Sequence, residues 1–290
     1  MRELHEPVQR EELEEWRQKL FRGVKVWYSV STMRVLFLFL LCFSLPVLAR
    51  QRPRFEIELQ PGVAWQSRNE FSIPTVGGTR VRLTDFGPRG TFTLRGYGVW
   101  NINDRHSLRL LIAPFTSRLS FTPAAPISFN GQNFAASTPL EATYKFNSYR
   151  LTYFYRFPSE SAWRFRLGFT AKIRDALIGL SDGTTSSENV NVGFVPLLHF
   201  GAVWFPSPDW HLELDLDGLA APQGRAFDVA LSVGYTVNDF TFQAGYRTVE
   251  GGAENDRVFT FAWLHSAFVG IKWSLGALGS HSLNLNESSL

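Results

Sequence analysis

From residue 55 onward the chain alternates between apolar and polar positions. Phe55, Ile57, Leu59, Val63 and Trp65 share one parity, while Glu56, Glu58, Gln60 and Gln66 hold the other. Tyr149, Leu151, Tyr153, Tyr155 and Phe157 interleave with Ser148, Arg150, Thr152 and Arg156. Leu212, Leu214 and Leu216 interleave with His211, Glu213, Asp215 and Asp217. A period of two sends successive side chains to opposite faces of a strand, so each run predicts a strand with one apolar and one polar face. The pattern predicts ten strands, near 55–67, 90–102, 107–121, 143–157, 163–180, 194–205, 210–221, 226–237, 240–250 and 258–273. Their connections alternate in character. Segments 101–106, 157–162, 205–210 and 237–239 are tight and rich in Asn, Asp, Pro and Ser, whereas 68–89, 122–142, 181–193 and 251–257 are longer. Short turns at one end and longer loops at the other are the plan of a transmembrane β-barrel.

Alternation alone does not say which face is outside. A soluble periplasmic lipocalin-like barrel alternates too, with its apolar face inward, and stays open as an alternative. Two features favour lipid outside. The strands exceed the usual five or six residues of soluble sheets. Trp65, Trp100, Phe157, Trp163, Trp204, Trp210 and Trp273 lie near strand ends, where an interfacial aromatic girdle sits. The predicted class is therefore all-β: a closed, antiparallel, up-and-down transmembrane barrel of about ten strands, within bounds of about eight and twelve.

Composition agrees. Aromatics make up 15% of the 290 residues and charged residues only 19%. A mean hydropathy of −0.09 is too low for a bundle of membrane helices. A net charge of +3 gives no nucleic-acid footprint. Residues 33–49, MRVLFLFLLCFSLPVLA, read as a secretory signal peptide: one Arg, a short apolar core and a small residue at the expected cleavage point after Ala49. Residues 1–32 then form a charged prefix outside that signal, most simply explained by Met33 being the true start. Cys42, the single cysteine, falls within the signal core, so no cysteine framework is expected in the exported chain. The barrel is expected over 50–273 and a polar tail over 274–290.

The closing stretch Ala267-Phe-Val-Gly-Ile-Lys-Trp273, with the strand pattern and the turn-and-loop asymmetry, resembles the small bacterial outer-membrane β-barrels. The resemblance extends over nearly all of 54–273. Trp273 stands where those proteins more often have Phe, and the tail follows where they usually stop. It implies export to the cell outer membrane, contact with outer-membrane lipid and lipopolysaccharide, and insertion by the barrel-assembly machinery. It implies no particular activity.

If the apolar parity faces lipid, the polar parity fills the lumen, and its charges segregate by strand. Arg95, Arg109, Arg150, Arg156, Arg164, Arg166, Lys172 and Arg174 fall on the second to fifth predicted strands. Glu56 and Glu58 fall on the first, His211, Glu213, Asp215 and Asp217 on the seventh, Asp228 on the eighth and Arg247 on the ninth. A basic wall facing an acidic one predicts ion pairs across the lumen, because a buried charge needs a partner. The expected role is non-enzymatic, in envelope structure or surface interaction, with a plugged lumen. A narrow channel for small solutes is the alternative, its opposing charges then forming a constriction.

A lipid- or peptide-modifying hydrolase is the third reading, but the sequence places no Ser/His/acid constellation. His265 and Ser266 are adjacent and so face opposite sides of a strand. His199 reads as an isolated wall residue. The His211-to-Asp217 run and the carboxylates of 250–256 could attract a cation, yet arginine pairing and hydrated turns account for them. No cofactor and no metal is expected. Phe71, Ile73, Phe129 and Phe134, in the two longest loops, are candidates to fold into the barrel mouth or meet a partner.

Overall fold

The computed structural model describes residues 52–86, 90–221 and 224–277. The expected prefix and signal peptide lie outside these residues, as does most of the expected tail. Strands β1 (Pro53–Ser72), β2 (Val81–Arg82), β3 (Thr91–Asn101), β4 (His106–Ala113), β5 (Thr116–Phe121), β6 (Ile127–Phe129) and β7 (Gln132–Phe134) are followed by β8 (Leu140–Arg156), β9 (Trp163–Ser181) and β10 (Ser186–Trp204). Then come β11 (Trp210–Ala221), β12 (Gly224–Val237), β13 (Phe240–Glu254) and β14 (Phe259–Ala277). Each long strand pairs antiparallel with the next, and β14 returns to pair with β1 from Pro53↔Ala277 to Ser72↔Phe259. The result is a closed barrel of ten staves. Among the described residues no helix is long and apolar enough to cross a membrane.

Strands β4 and β5 form one stave. Ala113 pairs with Ser148 and Thr116 with Lys145, so the register is kept across the break. The break falls at Pro114, which has no N–H for the ladder. The next N–H, of Phe115, donates instead to Asn147 Oδ1 at 3.0 Å.

The two faces of the wall settle the orientation. Phe169, Val192 and Phe194 are 64–67% exposed on the outside, whereas His199 is fully buried and Asp217 and Asp228 are each 2% exposed inside. A soluble barrel would have these reversed, so the lipocalin-like alternative fails. Polar groups fill the interior, and apolar side chains face outward to form a lipid-facing band. At the turn end, Trp163 stacks on Trp204 (ring centroids 6.0 Å apart), Trp210 meets Tyr235 (4.8 Å) and Phe240 stacks on Trp273 (5.9 Å).

Strand β1 carries the one feature that alternation alone conceals. Gln66 pairs with Leu264 but Arg68 with Trp263, which leaves Ser67 as the extra residue of a β-bulge. An inserted residue reverses the facing of everything beyond it. Before the bulge odd positions point outward; after it Asn69 and Phe71 point inward, both fully buried.

That reversal delivers Phe71 to an apolar plug in the loop end of the lumen. Asn130-Gly131 turns the β6–β7 hairpin with positive φ at both residues, the geometry that a two-residue hairpin turn requires. Phe129 and Phe134 on this hairpin are 0% and 1% exposed, and Phe129 meets Phe71 edge-on at 5.3 Å. Ile73, Val81, Leu83, Leu119, Phe121, Leu140 and Leu180 belong to the same cluster. Backbone bonds bind the two loops together: Asn130 N–H to Ile73 O at 2.7 Å and Thr79 N–H to Ser128 O at 2.8 Å. The four loop residues singled out by the sequence thus turn into the mouth.

Candidate functional site

Below the plug the lumen is crossed by one continuous chain of ion pairs. Arg95 (β3) reaches Asp228 (β12) at 3.0 Å, and Arg247 (β13) reaches the same carboxylate at 2.6 Å. Arg150 (β8) bridges Asp228 at 2.6 Å and Asp217 (β11) at 2.8 Å. Arg109 (β4) pairs with Asp215 at 2.6 Å and approaches Asp217 at 3.9 Å. Arg166 (β9) spans Asp215 at 2.5 Å and Glu213 at 2.7 Å, and Lys272 (β14) lies between Glu213 at 3.8 Å and Glu58 (β1) at 3.5 Å. Six cations meet five carboxylates with no break in the series. Both sides of the Arg150 pairs are only 2–3% exposed.

The strands dictate this arrangement. Residues two apart on β11 share a face, so Glu213, Asp215 and Asp217 form an acidic ladder along the barrel axis. The cations on β4, β8 and β9 reach it across the lumen. Gly201 on β10 leaves space for this, since a Cβ there would overlap the Arg166 guanidinium. Gly234 does the same for His211, whose imidazole lies where that Cβ would be.

His199 is a full member of the network and not an isolated wall residue. Its Nδ1 lies 2.9 Å from Asp217 Oδ1, and its Nε2 accepts from Arg166 Nε at 3.1 Å. Accepting at Nε2 while facing a carboxylate at Nδ1 defines the neutral tautomer with the proton on Nδ1. Its 18-residue separation from Asp217 closes only through the β10–β11 pairing of His199 with Asp217. Tyr97 and Gln60, which also accept from Arg247 at 3.0 and 3.2 Å, and Lys272 were missed as well, because neutral groups and a lone lysine carry no charge-segregation signal.

Several expected members stand apart from the ion-pair chain. Arg164 turns back to the carbonyls of Ser161 and Trp163 at the turn end. Arg174 hydrogen-bonds Asn191 on the neighbouring strand, nearer the loop end. Arg156 donates to Ser107 and lies 4.7 Å over the Phe154 ring. Glu56 accepts from Asn101 at 2.9 Å, and His211 reaches Glu213 only at 4.0 Å. Lys172 is 3% exposed and rests 4.8 Å over the Phe146 ring, with no carboxylate within 4 Å among the described residues. Facing inward is thus not enough for pairing, which also needs the right height along the barrel.

His199, Asp215 and Asp217 have ligand atoms within 4.8 Å of one another, a spacing a metal could use. Asp215, however, already faces Arg109 and Arg166, and Asp217 faces Arg150 and accepts from Thr170 at 2.9 Å. A divalent ion would have to displace guanidinium groups from every carboxylate it used, so the geometry favours the ion pairs. At the loop end Glu250 is likewise occupied by Arg225.

Two voids lie among the described residues of the lumen. A cavity of about 40 Å³ lies between plug and ion pairs, bordered by Phe115, Phe146, Arg150 and Arg247. A second, of about 30 Å³, lies within the network beside Tyr97, Gln243 and Phe268. Each has space for a few waters.

No protein-family model matches the chain, and neither does any curated protein sequence. Solved structures similar to it include the outer membrane protease OmpT from Escherichia coli, at 11% identity over 79% of this chain and 99% of that one (TM-score 0.46). The transport unit of the Escherichia coli autotransporter AIDA-I shares 10% identity over 85% and 98% of the two chains (TM-score 0.41). Neisserial surface protein A shares 14% over 76% and 97% (TM-score 0.31). The fold is that of an outer-membrane β-barrel. At these scores the neighbours add nothing to what the strand pairing, the apolar outer face and the charged interior already establish.

Proposed function

We propose that this protein is an outer-membrane barrel closed to solutes, serving the envelope through its rim and outer wall. The observation that carries the reading is a double closure of the lumen: the Arg150–Asp217–Asp228 layer, 2–3% exposed, and above it the apolar plug around Phe71, Phe129 and Phe134. An open pore needs a continuous wet path, and small barrels are ordinarily filled by their own side chains. The long loops then face the cell exterior and the tight turns the periplasm, with lipid and lipopolysaccharide as the wall's neighbours. Planar-bilayer recording tests this reading. The purified protein, verified as folded by the different migration of its unboiled band in SDS, is expected to insert without conductance steps. Steady openings would sink the closed reading in favour of the narrow channel.

A further inference from the structure

Away from the lumen, the β13–β14–β1 wall carries a hydrogen-bonded set that faces outward. Ser67 Oγ lies 2.7 Å from His265 Nε2, and His265 Nδ1 lies 2.5 Å from the Tyr246 hydroxyl. The three come from different strands and meet because the bulge turns Ser67 outward and the closing β1–β14 pairing sets Trp65 beside His265. The imidazole is held by rings, stacked on Trp65 at 5.8 Å and tilted against Trp263 at 5.6 Å. Trp263 is itself fixed by an Nε1–H bond to Thr248 Oγ1 at 2.6 Å. Ser67 is exposed and His265 half-buried.

A hydroxyl within reach of a base, with the base oriented by a third group, is the arrangement of an activated nucleophile. Trp65, Tyr246 and Trp263 mark the loop-end aromatic girdle, so the set sits at the depth where acyl chains join headgroups. Immediately towards the loops lie Arg68 and Arg225, 4.2 and 4.6 Å over the Phe261 ring, and Arg80, 4.0 Å over Phe259. With Arg82 they form four partly exposed arginines against Glu70, Glu250 and Asp85, a surplus suited to an anionic headgroup.

We infer that Ser67 and His265 form an esterase site on the outer wall, acting on the carboxylic esters of phosphorylated lipids in the surrounding leaflet. His265 Nε2 accepts the Ser67 proton as Oγ attacks the ester carbonyl. The tetrahedral adduct expels the lipid alcohol, which takes that proton from His265. Water, deprotonated by the same nitrogen, then cleaves the acyl-serine to free carboxylic acid and restores the hydroxyl. Tyr246 is a positioning residue: its oxygen accepts from Nδ1–H and keeps Nε2 unprotonated towards Ser67. This inference does not depend on whether the lumen conducts.

The test uses the full-length protein reconstituted in vesicles of anionic phospholipid and, separately, of lipopolysaccharide, reading released fatty acid together with labelling by a fluorophosphonate. Release from one vesicle type identifies the lipid. Ser67→Ala is expected to lose both label and release while keeping its unboiled-band shift. His265→Gln is expected to lower release by about 100-fold or more, on the scale of a general base. Tyr246→Phe is expected to lower kcat with KM unchanged. No label and no release from either vesicle, or release that survives Ser67→Ala, would overturn the site.

Discussion

Replacing Asp228 with alanine is expected to be the most damaging single change in the barrel. That carboxylate is 2% exposed and is approached by Arg95, Arg150 and Arg247 at 2.6–3.0 Å. Its removal leaves three guanidinium groups facing one another in a space with little water. Arg150 keeps Asp217, but Arg95 and Arg247 retain only the Tyr97 hydroxyl and Gln60. Breaking a buried pair by deleting one partner costs about 3–5 kcal/mol, mostly because the other charge stays behind uncompensated. The measurement is the urea concentration at which the unboiled band is lost, and it should fall markedly for Asp228→Ala. Arg164→Ala is the comparator: its guanidinium meets only turn carbonyls, and the change should stay within about 0.5 kcal/mol. Combining Asp228→Ala with Arg247→Met should recover part of the loss, because it removes one stranded charge. Equal stability of Asp228→Ala and wild type would mean that the lumen is wetter than the pairing implies.

Why Asp228 belongs to this network was only half legible beforehand. Strand number and the two-faced character of each strand follow from period two, because parity is a local property. Barrel class and the inward facing of the charges need strand length, the aromatic strand ends and the turn-and-loop asymmetry as well. Which cation meets which carboxylate is not local. It depends on stagger around the barrel, and that is why Arg164 and Arg174, inward by parity, lie to either side of the height at which Arg166 meets the acidic ladder and do not join the chain of pairs. The same limit hid Lys272 and the role of His199.

Two misses have narrower causes. The run Ser186–Gly193 was expected to be loop, since its Ser, Glu and Asn look like turn residues, yet it pairs with β9 throughout, with Val190 and Val192 facing out. The alternation was present but weak. The β6–β7 hairpin was signalled by Asn130-Gly131, the strongest short hairpin cue, and was overlooked inside a long Gly- and Pro-rich segment. The bulge at Ser67 has no comparable cue. One extra residue changes nothing in local composition, yet it inverts β1 beyond it, sending Phe71 into the plug and Ser67 to the wall. The Ser67–His265 contact joins residues 198 apart, so only barrel closure reveals it.

Two closures in series make a distinctive prediction about conductance. Current through consecutive barriers is limited by the tighter one, so removing either alone should leave the barrel silent. Replacing 127–134 with a short Gly-Ser linker removes Phe129 and Phe134 but leaves Arg150 bridging Asp217 and Asp228 below. Replacing Arg150 and Asp217 together by serine thins that layer without changing its net charge, but leaves the apolar plug intact above. Only the combined variant is expected to show discrete conductance steps in a planar bilayer. It should favour anions, because the remaining network still holds one more cation than carboxylate and Arg156, Lys172 and Arg174 face the same lumen outside that chain. A ring of fixed charge selects its counter-ion. That preference should fade as salt is raised, since fixed charge facing water is screened within about 10 Å at 0.1 M. Steps from the linker variant alone would show that the ion-pair layer yields to water. Steps from the serine pair alone would show that the plug opens on its own, and its loops would then be a gate.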